Sequence, residues 1–170
     1  MFTDLQLNLA KDIVNTCSTL NLKVTTAESC TGGLISSCLT AISGSSDVFD
    51  RGFVTYTNQA KIDLLGVAPD LLKLFGAVSE EVAYEMAEGA LKQSIAQISI
   101  AVTGIAGPSG GTIDKPVGLV HIASASEGFE TFHARHIFKG GREEVRRSTV
   151  LSSLELILKQ INHIKALHVI

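Results

Sequence analysis

The sequence predicts an α/β fold: a three-layer α/β/α sandwich around a mixed, partly antiparallel sheet. Amphipathic helical stripes stand at both ends of the chain and between short β-branched runs, so helices cover the sheet on both faces. The two last strand-like runs follow one another with no helix between them, which introduces antiparallel pairing. The 170 residues are 45% hydrophobic and 18% charged, and a chain of this mass buries roughly two-thirds of its unfolded surface on folding. A single domain over residues 1–170 is therefore expected.

Leu5, Leu9, Ile13, Cys17 and Leu20 recur at helical spacing and set a first helix from Asp4 to Leu20. Lys23 to Ala27 reads as a short strand, and Leu34, Ile35, Cys38, Leu39 and Ile42 as the stripe of a second helix closed by Ser43-Gly44. Arg51 to Thr57 has the aromatic and β-branched content of a strand and leads into a short helix, Gln59 to Leu65. Pro69 suits a helix first turn and Gly76 its end. Ser79 is an N-cap, followed by Glu80 and Glu81 where the helix dipole favours acid, then by Val82, Ala83, Met86, Ala87, Ala90 and Leu91 on one face. Ile98 to Thr103 is a buried strand running into a glycine-rich loop, Gly104 to Gly111. Val117 to Ala125 and Phe129 to Phe138 are strands joined by Ser126-Glu127-Gly128, and Gly140-Gly141 opens a last helix with Val150, Leu154, Ile157, Leu158 and Ile161 inside.

Composition excludes several classes of function. The net charge is 14 − 17 = −3 and basic residues cluster only around Arg142, Arg146 and Arg147, so the broad positive face that nucleic acid requires is absent. No apolar run approaches the ~20 residues that span a bilayer, and Met1 to Lys11 lacks the pattern of a secretory signal. A cytoplasmic protein without nucleic-acid or membrane partners is expected. Cys17, Cys30 and Cys38 are odd in number and lack zinc-site spacing, and His133 and His136 fall on opposite faces of a strand, so no metal site is expected. A mean hydropathy of +0.30 favours burial of apolar surface between subunits.

Four strand-end or helix-start segments carry potential chemistry. Thr25 to Gly33, T-T-A-E-S-C-T-G-G, lies where a strand ends and a helix begins, and offers Ser29, Cys30 and Thr31 as nucleophiles. The same residues would also serve as an N-cap cluster with Gly32 and Gly33 allowing close packing. A helix start would lower the Cys30 thiol pKa. In Tyr56 to Lys61, Y-T-N-Q-A-K, Asn58 and Lys61 stand one helical turn apart. A lysine desolvated there loses its proton more readily and becomes a base for a serine hydroxyl, whereas a solvated one is a surface residue. Thr103 to Gly111, T-G-I-A-G-P-S-G-G, brings amides and a hydroxyl to an anion, or is a plain turn. In G-G-R-E-E-V-R-R, Arg142 and Arg146 share a helix face suited to a phosphate or carboxylate, or pair with Glu143 and Glu144.

The string T-T-A-E-S-C-T-G-G, followed by G-S-S-D-V-F-D-R-G-F-V-T-Y-T-N-Q-A-K, G-A-V-S-E-E-V, T-G-I-A-G-P-S-G-G and K-P-V-G, closely resembles the CinA C-terminal domain family, the nicotinamide mononucleotide amidohydrolases, from about Leu5 to Leu158. The resemblance implies hydrolysis of nicotinamide mononucleotide to nicotinic acid mononucleotide and ammonia, without metal or organic cofactor. It makes Ser29 the nucleophile and Lys61 its base, with Tyr56 beside them. Thr31, Gly32, Gly33, Asn58, Thr103, Gly104, Gly107 and Arg142 are the expected substrate-binding residues, with Arg51 or Asn58 as alternatives for the ribose or phosphate. A homodimer or larger homo-oligomer is expected. In larger relatives this domain follows a molybdopterin-binding-like domain, which 170 residues are too few to include. The rival reading is a non-catalytic, nucleotide-sensing domain, and a third makes Cys30 the nucleophile of a thiol amidase.

Overall fold

The computed structural model describes residues 2–168. Helix α1 (Asp4–Leu20) begins at a capping box: the Thr3 hydroxyl accepts from the Gln6 N–H, and the Gln6 side chain accepts from the Thr3 N–H. It ends at Asn21 in the left-handed region, φ 54°. There follow β1 (Val24–Glu28), α2 (Leu34–Thr40), a 3-10 turn (Ser45–Asp47) that the sequence reading did not anticipate, and β2 (Phe49–Val54). Three helices come next, α3 (Asn58–Leu65), α4 (Pro69–Phe75) and α5 (Glu80–Lys92), the last capped by the Ser79 hydroxyl accepting from the Val82 N–H. The chain closes with β3 (Ile98–Gly104), β4 (Leu119–Ser126), β5 (Phe132–Ile137) and α6 (Arg142–His168).

The sheet order is β2-β1-β3-β4-β5, with β2, β1 and β3 parallel and β4 and β5 antiparallel to their neighbours. Helices α1, α2 and α6 cover one face, where Ile98, Ile100 and Val102 of β3 meet Ile13, Cys17, Ile35, Leu39, Leu154 and Ile157. Alternation turns Ala101 to the opposite face, where Ala27, Ala123 and Ala125 meet Ala83, Met86, Ala87 and Ala90 of α5. The expected sandwich and mixed sheet are thus observed.

Several boundaries move: β1 ends at Glu28 rather than Ala27, α2 stops at Thr40 short of the expected Ser43-Gly44 close, and α3 starts at Asn58. Strand β2 runs from Phe49 rather than Arg51 and stops at Val54, because Thr57 leaves the sheet to cap α3, its hydroxyl accepting from the Ala60 N–H. Strand β4 begins at Leu119 because Gly118 turns at φ +93°, where a Cβ would collide with the Phe138 carbonyl. Residues 127–131 join β4 to β5, a wider connection than the expected Ser126-Glu127-Gly128, since the Gln97 and Ser126 carbonyls take the N–H groups of Glu127 and Phe129.

The alanine-lined face lets α5 approach closely, and Gly89 of α5 touches the end of α3. A Cβ at Gly89 would overlap the Leu65 carbonyl. Gly89→Ala is expected to cost about 1–3 kcal/mol, as overpacking does. A thermal melt should fall by roughly 5 °C; an unchanged midpoint would mean that α3 yields freely.

Candidate active site

The chain passes from β1 outward to β2 and returns past β1 to β3, so the carboxyl ends of β1 and β3 border a crevice of the kind in which open α/β sheets bind ligands. Ser29 is the first residue beyond β1. Its N–H donates to the Val102 carbonyl at 3.1 Å, which fixes its main chain against β3. Lys61 projects inward from α3 and is 1% exposed. Its Nζ donates to Ser29 Oγ at 3.1 Å and to the Thr55 carbonyl at 2.7 Å. Thr55 is held in turn by its N–H donating to the Glu28 carbonyl at 2.8 Å. Burial lowers the Lys61 pKa to about 8, against a smaller opposing effect of the neighbouring Cys30.

This pair stands on the wall of a cavity of about 220 Å³ that is also lined by Cys30, Tyr56, Ala77, Val78, Thr103, Gly104, Ala106 and Arg142. Arg142 spans its mouth: Nη1 donates to the Gly107 carbonyl and Nη2 to the Tyr56 hydroxyl, both at 2.9 Å. The Thr103 hydroxyl donates to the Ala77 carbonyl at 2.7 Å and holds the far wall.

A buried amine on a serine hydroxyl, at the end of a strand within A-E-S-C-T-G-G, coincides with a match to the CinA C-terminal domain family model over residues 6–161. The chain belongs to that family. It is 50% identical over 137 residues to the nicotinamide-nucleotide amidohydrolase PncC of Enterobacter agglomerans, covering 81% of this chain and 84% of that one. The protein of the same name from Escherichia coli K12 is 48% identical, with 81% and 83% covered. The crystal structure of the competence/damage inducible protein CihA from Agrobacterium tumefaciens superposes with a TM-score of 0.93 at 50% identity, covering 95% of this chain and 98% of that one. Against the CinA-like protein of Syntrophobacter fumaroxidans the identity is 48%, over 86% of this chain and 34% of the relative, so the chain spans about a third of that relative's length.

In this CinA domain the cavity gathers Ser29, Lys61, Tyr56, Thr103, Gly104 and Arg142 from the expected set. Gly107 lies outside the wall and contributes through its carbonyl on Arg142. Thr31, Gly32, Gly33 and Asn58 are not on the wall. The Thr31 hydroxyl and the Gly33 N–H are taken by the Glu28 carboxylate, and the Gly32 N–H closes a turn on the Ser29 carbonyl. Asn58, the first residue of α3, is exposed although Lys61 one turn later is buried. Arg51 sits at the other end of β2 on Asp50 and the Gln93 carbonyl. The expectation of an activated Cys30 thiol also changes: the side chain is 5% exposed, and burial pushes its pKa up to about 11.

Sequence reasoning missed two contributors and read a third, Arg146, only as an anion-binding candidate. Glu28 is fully buried beneath the turn that follows Ser29. Thr55 orients Lys61 through its carbonyl. Arg146 donates to the Thr31 carbonyl at 2.9 Å, which ties α6 to the turn that follows Ser29. Of the two missed residues only Glu28 left a sequence signal, as an acid at a strand end just ahead of a helix start. Of the histidines, His133 lies 3.0 Å from His121 across the β4–β5 ladder and His136 stacks on Phe138. His163 packs on Phe129 and Phe132, and the side chain of His168 is outside the described set. Among the described residues no helix is long and apolar enough to cross a membrane.

Proposed function

We propose that this protein hydrolyses the carboxamide of nicotinamide mononucleotide to nicotinic acid mononucleotide and ammonia, with Ser29 as nucleophile and Lys61 as base. The observation that carries this reading is the buried Lys61 amine 3.1 Å from Ser29 Oγ on a cavity wall; the names of the PncC relatives supply the substrate. Neutral Lys61 accepts the Ser29 proton as Oγ bonds to the carboxamide carbon. Collapse of the tetrahedral intermediate breaks the C–N bond, and protonated Lys61 gives its proton to the departing ammonia. Water, deprotonated by the same amine, then cleaves the acyl-serine. The backbone N–H of Cys30, directly after the nucleophile, faces the developing oxyanion in this mechanism, a type of contact worth about 3–4 kcal/mol. Arg142, exposed at the mouth, supplies the cation for the 5′-phosphate, with Tyr56, Thr103 and Gly104 along the nucleotide. The chemistry of these steps calls for no metal or organic cofactor. We also propose a single domain and a cytoplasmic homodimer or larger assembly, the latter supported by the exposed Leu64, Leu74 and Phe75.

Purified, chelator-treated protein is expected to release ammonia and nicotinic acid mononucleotide in equal amounts from nicotinamide mononucleotide. Absence of both from well-folded protein that still binds the nucleotide would replace this reading with the sensing domain.

The pH dependence follows from Lys61. Its amine is neutral only above a pKa lowered to about 8, so kcat/KM should rise about tenfold per unit below that value and level off above it. A rate flat from pH 6 to 9 would mean that Lys61 is not the base.

A further inference from the structure

The Glu28 carboxylate is fully buried, does not line the cavity, and is surrounded by donors. Its Oε2 accepts from the Thr31 hydroxyl at 2.6 Å, the Gly33 N–H at 3.0 Å and the Ile35 N–H at 3.1 Å. Its Oε1 accepts from the Ser36 N–H at 2.8 Å and the Ser36 hydroxyl at 2.7 Å. The Ser36 proton is thereby spent, so the Thr26 hydroxyl, 2.7 Å from Ser36 Oγ, is the donor in that contact. Gly52 of β2 leaves room for this chain, since a Cβ there would come within 2.5 Å of Ser36 Oγ and 2.9 Å of Thr26 Oγ1. The main chain of Glu28 meanwhile receives the Thr55 N–H, and the Thr55 carbonyl aims Lys61.

We propose that Glu28 is a positioning residue, an internal anion that folds the Ser29–Gly33 turn onto α2 and so sets Ser29 Oγ against Lys61. The role rests on the reading of Ser29 as nucleophile. Only a carboxylate offers acceptors at both oxygens. A glutamine amide turns two N–H groups toward either the Thr31–Gly33–Ile35 donors or the Ser36 N–H, and the turn has to shift to relieve that clash. The Gly33, Ile35 and Ser36 N–H groups at the start of α2 are already satisfied by Glu28, so in this account they take no part in holding a substrate phosphate.

The test labels Ser29 with an aryl sulfonyl fluoride and follows the adduct by intact mass, for wild type, Glu28→Gln and Thr31→Val, alongside kcat and KM for nicotinamide mononucleotide. A displacement near 1 Å costs about a hundredfold. The Glu28→Gln labelling rate should fall by that order while the labelled fraction still reaches completion, with kcat falling in parallel and KM little changed. Thr31→Val, nearly isosteric and removing one of the five donors, should slow labelling several-fold, which keeps the test open if Glu28→Gln does not fold. Wild-type labelling rates in the variants would overturn the proposal, as would normal rates with a reduced labelled fraction, the mark of a folding defect alone. Unlabelled wild type would overturn it together with the assignment of Ser29. Labelled wild type that leaves nicotinamide mononucleotide intact would refute the substrate while the labelling comparison still decides the role of Glu28.

Discussion

Ser29→Ala is expected to lower kcat for ammonia release by at least about 10⁴-fold, in line with the loss of a serine nucleophile elsewhere, while leaving nucleotide binding close to wild type. The hydroxyl is the atom on which the Lys61 amine rests, and alanine removes it without disturbing the Ser29 N–H bond to Val102 that holds the strand end in place. Cys30→Ala is the control. That thiol lines the same cavity but is held protonated by burial, with its pKa near 11, so its removal should leave kcat in the same order of magnitude. Steady-state ammonia assays paired with calorimetric titration of the nucleotide separate the two outcomes. If Cys30→Ala loses turnover and Ser29→Ala keeps it, the nucleophile is the cysteine.

Lys61→Met should be comparably severe for catalysis and neutral or favourable for stability. Methionine reproduces most of the aliphatic stem but cannot take a proton, so kcat should drop by about 10³-fold or more, and the rise toward pH 8 should vanish with it. The amine is 1% exposed, and its burial disfavours the charged form. Replacing a buried, desolvated cation with an apolar side chain of similar length removes that cost. A melting temperature equal to or above wild type is the expected result. A large fall would show that the Lys61 contacts to Ser29 and Thr55 contribute more to the fold than desolvation takes away.

How much of this was legible in the sequence depended on the range of the interaction. Helix α5 was readable because Ser79, Glu80 and the apolar stripe lie within a few turns of one another. The strand-end loops were readable because glycine and hydroxyl residues follow β-branched runs. Pairing Ser29 with Lys61 across 32 residues required the family resemblance; spacing gives no access to a contact between the end of β1 and a helix that follows β2. The part played by Thr55 was not legible, since it acts through a carbonyl that every residue owns. Asn58 misled because a 60° difference around a short helix separates an exposed position from a buried one. Cys30 misled because proximity to a helix start lowers a thiol pKa only where the thiolate is not also stripped of water, and here burial dominates.

The contact of Arg142 with Tyr56 joins residues 86 positions apart, and this has a bearing on how the protein is made. During synthesis Ser29 leaves the ribosome before Lys61, and Arg142 follows only after β3, β4 and β5. The sheet face that receives α1 and α2 waits for Val145, Val150, Leu154, Ile157 and Ile161 to arrive from α6. A nascent chain therefore carries Ser29 and Lys61 before the Arg142 contacts beside their cavity exist. A product truncated before α6 lacks the Arg142 contacts to the Gly107 carbonyl and the Tyr56 hydroxyl.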